Sequence, residues 1–155
     1  MVMLRNKDLD EFPWFHLFLE ELFQIRENSK VWEPFLEWSS LPDSEAYRAV
    51  CYGTFPFVNV KGSLFGDPHS YGHFSPSTPD DIWVRRDSVQ TYEKTSNPGI
   101  EWKTGKYLEM LILHEMVHWG RHHSGVGDDF YVGEADSGRM FAKAAYNDPY
   151  NPHLG

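Results

Sequence analysis

Two histidines four residues apart are the strongest chemical signal in the chain. They lie in His114-Glu115-Met116-Val117-His118, which matches the pattern H-E-x-x-H. In a helix, residues i and i+4 share one face, with their Cβ atoms about 5–6 Å apart. Two imidazoles in this arrangement can bind one zinc ion at ~2.0–2.1 Å. We therefore predict a zinc site with His114 and His118 as ligands.

Glu115 lies between the two histidines and has a different predicted task. It is rotated by about 100° from His114 around the helix axis, so it can reach a water molecule on the metal without binding the metal itself. Zinc lowers the pKa of such a water to ~7 and polarises a carbonyl group. We therefore predict that Glu115 is the catalytic base of a metal-dependent peptide hydrolysis.

An accidental match is the alternative, because by composition alone the motif should occur by chance in roughly one protein in a hundred. The neighbouring residues argue against it. The apolar run from Tyr107 to Leu113 precedes the motif, and Trp119 follows it. Apolar residues around the whole helix axis are typical of a buried helix. Burying two histidines and a glutamate without partners would be costly, so a metal site is the better interpretation.

The residues that follow the motif exclude one class of zinc peptidase. A metzincin continues H-E-x-x-H-x-x-G-x-x-H, whereas this chain has Arg121 and Ser124 at the last two of those positions. His122 lies one turn beyond His118. It is either a polar neighbour of the metal ligands or simply the polar end of the helix.

A third ligand is expected from the last predicted helix, 134–146. Glu134 begins this helix and is either the third ligand or a charge that stabilises the helix N-terminus. We expect Asp136 to point elsewhere and to stabilise the same N-terminus. The positions on the face of Glu134 are 138, 142 and 145. Gly138 and Ala145 are small enough to let two helices approach closely.

Five further histidines are weaker candidates. His69 and His73 lie in a segment rich in Gly and Pro, where they could line a cleft. We expect His16, His123 and His153 to be exposed to solvent.

Hydrophobic periodicity and turn residues predict the order of elements. Helices are predicted over 13–27, 34–38, 43–51, from 87 onwards, over 104–122 and over 134–146. Strands are predicted over 54–60 and 82–85, and a loop over 62–80. These elements predict an α+β fold that is mostly helical, with a small sheet packed on the HExxH helix.

Composition narrows the class of protein. The chain has 155 residues, of which 41% are apolar, so we expect 1–155 to form a single globular domain. The net charge of −9 would repel phosphates, which argues against a nucleic-acid partner. No apolar run approaches the ~20 residues that a membrane-spanning helix needs.

The first residues indicate how the protein would be exported. Residues Met1 to Glu11 lack the basic stretch and apolar core of a signal peptide, so export, if it occurs, must use another route or a carrier. This start also favours a domain that was cut from a larger protein or that travels on a carrier. Cys51 is the only cysteine, so an internal disulfide is excluded.

The segment Leu108–Gly120, with sequence LEMLILHEMVHWG, resembles the bacterial metallopeptidase toxin family. That family includes C-terminal effector domains of type VI secretion spike proteins with valine-glycine repeats. The similar segments also include 65–67, 71–76, 82–85 and 133–146. The resemblance therefore covers residues 54–155 and leaves the helical N-terminal region, residues 1–53, without a recognised signature.

The resemblance implies a zincin-like fold, bound zinc and peptide hydrolysis. It also implies a secreted effector that is delivered into a target cell and acts in the periplasm. The implied partners are a peptide or protein substrate, a cognate immunity protein, and a secretion spike or carrier. The family's metal ligands and base carry over to His114, His118 and Glu115 in this chain.

One position departs from the family pattern. The last helix of the family has the pattern phenylalanine-glutamate-x-x-alanine-tyrosine, whose glutamate is the implied third ligand. This chain has Ala142 there, within the segment 141–146. Either Glu134 substitutes for the missing glutamate, the site is degenerate, or Ala142 is an engineered change.

Three functions follow from these alternatives. The first is a toxic zinc endopeptidase. The second is a catalytically inactive zincin-like binding module whose third-ligand position is vacant at Ala142. The third is a zinc hydrolase of nonpeptidic substrates on the same site, since a fold alone does not decide function. Retention of Glu115 favours an enzyme, because an inactive domain has no need of a catalytic base.

Overall fold

The fold combines a bundle of helices with a small sheet. The structure, a computed structural model, describes residues 2–62, 72–127, 131–132 and 135–147. The helices are α1 (Asn6–Leu9), α2 (Pro13–Glu20), a 3₁₀ helix (Leu22–Glu27), α3 (Ser29–Ser39), α4 (Asp43–Val50), α5 (Arg86–Lys94), α6 (Pro98–His123) and α7 (Ser137–Tyr146). The strands are β1 (Val2–Leu4), β2 (Tyr52–Lys61), β3 (Gly72–Phe74), β4 (Asp81–Arg85), β5 (Tyr131–Val132) and β6 (Ala135–Asp136).

Four of the strands form one sheet beside the long helix α6. Their order is β1-β2-β4-β3, and the first three strands are parallel whereas β3 runs antiparallel to β4. Val58 and Val60 of β2 pair in register with Ile82 and Val84 of β4, and all four side chains are buried. α6 packs against β3 and β4. The prediction of an α+β fold with a small sheet on the HExxH helix is therefore confirmed.

α6 begins earlier than the sequence predicted. Asn97 caps it, because its side chain accepts the backbone N–H groups of Gly99 and Ile100, and Pro98 occupies the first helical position. Asparagine followed by proline suits a turn and a helix start equally well, so the sequence pattern does not fix this boundary. The apolar residues from Leu108 to Val117 are buried around the axis, as expected for a central helix.

α3 and α7 pack against α6 and complete the core. α3 approaches α6 closely at Gly120, where a Cβ atom would lie 2.9 Å from Cβ of Ser39. Phe141 of α7 packs edge-on against Phe35 of α3, with ring centroids 6.1 Å apart. The end of α7 is tied to α6, since the hydroxyl of Tyr146 donates to Oε2 of Glu109 at 2.6 Å.

Several predicted boundaries differ from the structure. The helix predicted over 13–27 is divided at Glu21 into α2 and the 3₁₀ helix, and the short piece predicted over 34–38 belongs to the longer α3. β1 was not predicted, and β3 lies inside the predicted loop. Both strands have three residues, too few to show an alternating pattern.

The last helix begins at Ser137 instead of at Glu134. Asp136 has an extended backbone, with φ −76° and ψ 173°, and its side chain caps the helix. Glu134 itself lies outside the described residues. Among the residues that the structure describes, no helix is long and apolar enough to cross a membrane.

The bond between Tyr146 and Glu109 gives a test of how α7 is held. Burial raises the pKa of Tyr146 well above its usual range, and the nearby Glu109 carboxylate raises it further. The phenol therefore stays protonated and keeps donating. We expect Tyr146→Phe to lower the free energy of unfolding by about 1–2 kcal/mol, because the carboxylate loses its donor.

Alkaline pH should show the same effect. Because the folded pKa of Tyr146 is raised, its contribution to stability is complete below the unfolded value of about 10 and declines above it. Chemical denaturation at pH 7 and at pH 10.5 measures both effects. Glu109→Gln keeps an acceptor and should cost less than Tyr146→Phe. Equal stability of Tyr146→Phe and the parent at pH 7 would contradict this account.

Candidate metal centre

Three side chains of α6 meet in the core of the protein. The ligand atoms of His114, Glu115 and His118 all lie within 4.8 Å of one another. His114 and Glu115 are fully buried, and His118 is 8% exposed. The structure therefore brings together the three residues that the H-E-x-x-H pattern singles out.

Their arrangement follows from helical geometry. The imidazole centroids of His114 and His118 are 5.1 Å apart, as expected for residues on successive turns. Oε1 of Glu115 lies 3.8 Å from Nε2 of His114. Two imidazoles and a carboxylate thus share one small volume that is removed from solvent. Such a cluster is costly in an apolar core unless a cation or hydrogen bonds compensate it.

Asp136 brings a second carboxylate to the same place. Its Oδ1 lies 4.0 Å from Nε2 of His114, and its Oδ2 lies 3.7 Å from Nε2 of His118. The same Oδ1 accepts the backbone N–H of Arg139 at 2.8 Å and so caps α7. The expectation that Asp136 stabilises the helix N-terminus is confirmed, but the expectation that it points elsewhere is wrong. That expectation required a helical residue, whereas the backbone of Asp136 is extended.

Gly138 allows α7 to approach the first histidine. A Cβ atom on Gly138 would lie 2.5 Å from Nε2, 2.6 Å from Cδ2 and 2.7 Å from Cε1 of His114. Because these distances are nearly equal, the atom would sit over the ring face. An approach in the ring plane would leave the two carbons much farther away than the nitrogen. Gly138 therefore covers the face of the imidazole and does not approach Nε2 in the plane of the ring.

A second glycine lies against Glu115. A Cβ atom on Gly72 of β3 would lie 2.9 Å from Oε1 of Glu115 and 2.7 Å from Cδ1 of Leu111. The backbone of the antiparallel edge strand therefore passes directly beside the carboxylate. Phe74, two residues along, faces α6 as well, with its ring 5.9 Å from that of His122.

These groups fit a divalent metal ion. Imidazole nitrogen and carboxylate oxygen are the donors that several divalent metals prefer in proteins. Two such atoms bound at ~2.0–2.1 Å to one tetrahedral ion are about 3.3 Å apart. The separations between the Asp136 oxygens and the two Nε2 atoms, 4.0 and 3.7 Å, exceed this spacing by about 0.7 and 0.4 Å. The cluster is therefore suited to hold a metal.

Position 142 carries no donor atom. Ala142 is fully buried on α7, one turn beyond Gly138. Gly138, near the start of α7, contacts His114, whereas Tyr146, at the end of α7, donates a hydrogen bond to Glu109, which lies earlier in α6. The two helices therefore run antiparallel. Position 142 is therefore level with the turn of α6 that precedes His114, and Asp136 is level with His118.

The remaining histidines lie away from the cluster or outside the described residues. His73 lies between Gly72 and Phe74, which both face α6, so alternation turns it to the opposite face of the sheet, beside Trp83. It does not line this site. His69 and His153, like Glu134, are outside the described residues.

His122 packs on Phe74, as described above, and two further histidines, His123 and His16, also have local contacts. His123 is exposed as expected; its Nε2 is 2.8 Å from the carbonyl oxygen of Pro79. His16 is half-buried instead of exposed, because it packs on Tyr52 and lies 3.2 Å from Oε1 of Glu20.

One comparison with known proteins gives a match. The family model described as metallopeptidase toxin 3 matches residues 8–147. The match includes the N-terminal helices, where the sequence alone gave no recognised signature. No curated protein and no solved structure matched the chain.

The close approach at Gly138 can be tested directly. The methyl group of Gly138→Ala would overlap the ring of His114, so either the ring or the start of α7 must move. Overpacking of this kind costs about 1–3 kcal/mol. We expect a lower melting temperature and about tenfold or greater loss of affinity for Zn²⁺, measured by competition with a chromophoric chelator.

Gly105→Ala is the matched control on α6. Its new Cβ would lie 3.4 Å from the ring of Tyr92, an ordinary contact, and alanine favours a helix over glycine by about 1 kcal/mol. The control should bind Zn²⁺ as the parent does and melt at an equal or higher temperature. Unchanged Zn²⁺ affinity in Gly138→Ala would show that the glycine does not shape the site.

Proposed function

The chain belongs to the metallopeptidase toxin 3 family, and from that premise we propose that it is a zinc-dependent endopeptidase acting as an antibacterial effector. The observation that carries the proposal is the buried cluster of His114, Glu115 and His118, whose ligand atoms lie within 4.8 Å of one another. The family name indicates a metallopeptidase toxin. A metal held by this cluster is the chemical means by which such a protein would act.

In the proposed site, His114 and His118 hold zinc through imidazole nitrogen. Their spacing on one rigid helix fixes the two donors relative to each other, so little ordering is needed when the ion binds. When bound, zinc supplies Lewis acidity, which lowers the pKa of a water molecule and polarises the substrate carbonyl. The same donor set also occurs in non-haem iron proteins, so the identity of the metal is tested by elemental analysis below.

Glu115 moves the proton in this proposal. It accepts a proton from the water that attacks the scissile carbonyl carbon, and it returns a proton to the leaving amine nitrogen. Its distance of 3.8 Å from Nε2 of His114 supports a role next to the ligands. Its burial supports the role too, because a carboxylate interacts more strongly with nearby charge in a low dielectric.

The biological setting is proposed from the family. A toxin needs a route into its target, and we propose a secretion spike or carrier and action in the periplasm of the target cell. A producing cell needs protection, for which we propose a cognate immunity protein that covers the site. The net charge of −9 suits an immunity protein with a basic surface, since complementary charge speeds association.

His118→Ala tests the metal site. Removing one imidazole leaves His114 without the second nitrogen donor of the pair. We expect protein purified without added metal to contain zinc near one equivalent, and the variant to lose most of it. Inductively coupled plasma mass spectrometry measures the content and identifies the metal. Zinc content equal to that of the parent, with the variant folded, would contradict the assignment.

Glu115→Gln tests the mechanism separately from metal binding. The amide cannot accept the proton, but it removes no proposed ligand. We expect zinc content to remain while turnover falls by about 10²–10⁴-fold, the usual contribution of general acid–base catalysis. Cleavage of a peptide library, followed by mass spectrometry, measures turnover.

Glu101→Gln is the matched control and should keep full activity, because Glu101 is an exposed glutamate in the first turn of α6.

In a bacterial host, the parent exported to the periplasm should arrest growth and Glu115→Gln should not. A parent that binds zinc but cleaves no peptide would favour the inactive binding module instead. Comparable turnover in parent and Glu115→Gln would show that the base is another group.

A further inference from the structure

We infer that Asp136 is the third protein ligand of the metal, a role that neither the H-E-x-x-H pattern nor the family match assigns. The inference rests on the proposed function, because it requires a metal on His114 and His118. It differs from the two positions that the sequence suggested for this ligand, position 142 and Glu134, of which Glu134 lies outside the described residues.

The first argument is the position of the carboxylate between the two imidazoles. Each oxygen faces one Nε2 atom, at 4.0 Å from His114 and 3.7 Å from His118. If Asp136 only oriented one of these rings, one oxygen should lie within about 2.7–3.2 Å of that nitrogen. Neither distance is that short. Both distances lie within about 0.7 Å of the ~3.3 Å spacing between donors that surround a common ion.

The second argument is that capping α7 leaves Asp136 with donor capacity. An ionised carboxylate has about four lone-pair sites. The N–H of Arg139 uses one site on Oδ1, so the other sites remain for a metal. The cap also holds the carboxylate in one orientation. Carboxylates that bind metals are usually held by such a second hydrogen bond.

The third argument is the register of the two helices. Asp136 immediately precedes the turn of α7 that lies on His114 through Gly138. The close approach that Gly138 permits therefore brings Asp136 toward His118. Ala142 lies one turn in the other direction and has no donor atom. The contact at Gly138 therefore explains why the carboxylate beside His114 and His118 belongs to a residue that precedes α7 and not to a residue within that helix.

Two substitutions separate a ligand from a helix cap. Asparagine and serine both cap helices as well as aspartate does, to within a few tenths of a kcal/mol. However, the amide of Asp136→Asn carries no charge, and the hydroxyl of Asp136→Ser is too short to reach the imidazoles. We expect both variants to keep the melting temperature of the metal-free protein. We expect both to bind Zn²⁺ about 100-fold more weakly than the parent.

The measurement is the dissociation constant of Zn²⁺, obtained by competition with a chelator. The absorption spectrum of bound Co²⁺ is a second readout, and loss of a carboxylate donor should change its visible bands. Neither readout depends on activity. Variants that bind Zn²⁺ as tightly as the parent would overturn the inference. A fall in metal-free stability with no change in Zn²⁺ affinity would also overturn it, because Asp136 would then be a cap only.

Ala142→Glu tests the competing position. Ala142 is fully buried, so a glutamate there should destabilise the metal-free protein, and we expect no gain in Zn²⁺ affinity. A large gain would overturn the inference, because it would show that the third position of the parent is empty.

The outcomes also distinguish this inference from the proposed function. If His118→Ala loses zinc while both Asp136 variants keep it, the metal site stands and only the third ligand is wrong. If the parent binds no metal, the proposed function and the inference fail together.

Discussion

The site depends on how closely the last helix can approach the central one. At Gly138 the backbone of α7 lies on the ring of His114, where even a methyl group would overlap three ring atoms. This contact restricts one face of the imidazole of His114 and places the carboxylate of Asp136 within 4 Å of both histidines. At the far end of α7, the bond from Tyr146 to Glu109 holds the same pair of helices together. Gly138 at the start of α7 and the hydrogen bond of Tyr146 at its end therefore set the geometry of the centre.

Asp136 links the stability of the fold to the chemistry of the site. Its carboxylate caps α7 and faces the two histidines at the same time. A helix N-terminus stabilises a nearby negative charge, so the cap keeps an anion in a largely buried position where it would otherwise be unfavourable. Negative charge is also what a pair of imidazoles needs to complete a cation site. Asp136 thus serves both as the N-cap of α7 and as a negative charge beside two imidazoles. Each role lowers the free-energy cost of keeping the carboxylate in this position.

Local patterns predicted one side of the site and missed the other. His114, Glu115 and His118 were predicted to meet because i, i+4 spacing in an apolar helix is decided within a few residues. The close approach at Gly138 was also expected from its size, and the structure confirms it. Asp136 was misplaced because a helix that began at Glu134 would turn the aspartate away from the histidines. Its preference for N-cap positions was the available signal. Strand β3 pairs with the nearby β4 but has only three residues, and its contact with Glu115 joins positions far apart in sequence, which no short pattern records.

The order in which the chain is synthesised gives the position of α7 a further meaning. Through His123 the chain already contains both histidines and the glutamate, yet the aspartate and the glycine that enclose them come later. A partly folded chain with α7 undocked would hold its imidazoles in an open and incomplete arrangement. Closure of the centre therefore requires α7 to dock on α6. A change that kept α7 away from α6 would therefore open the centre without altering the histidines themselves.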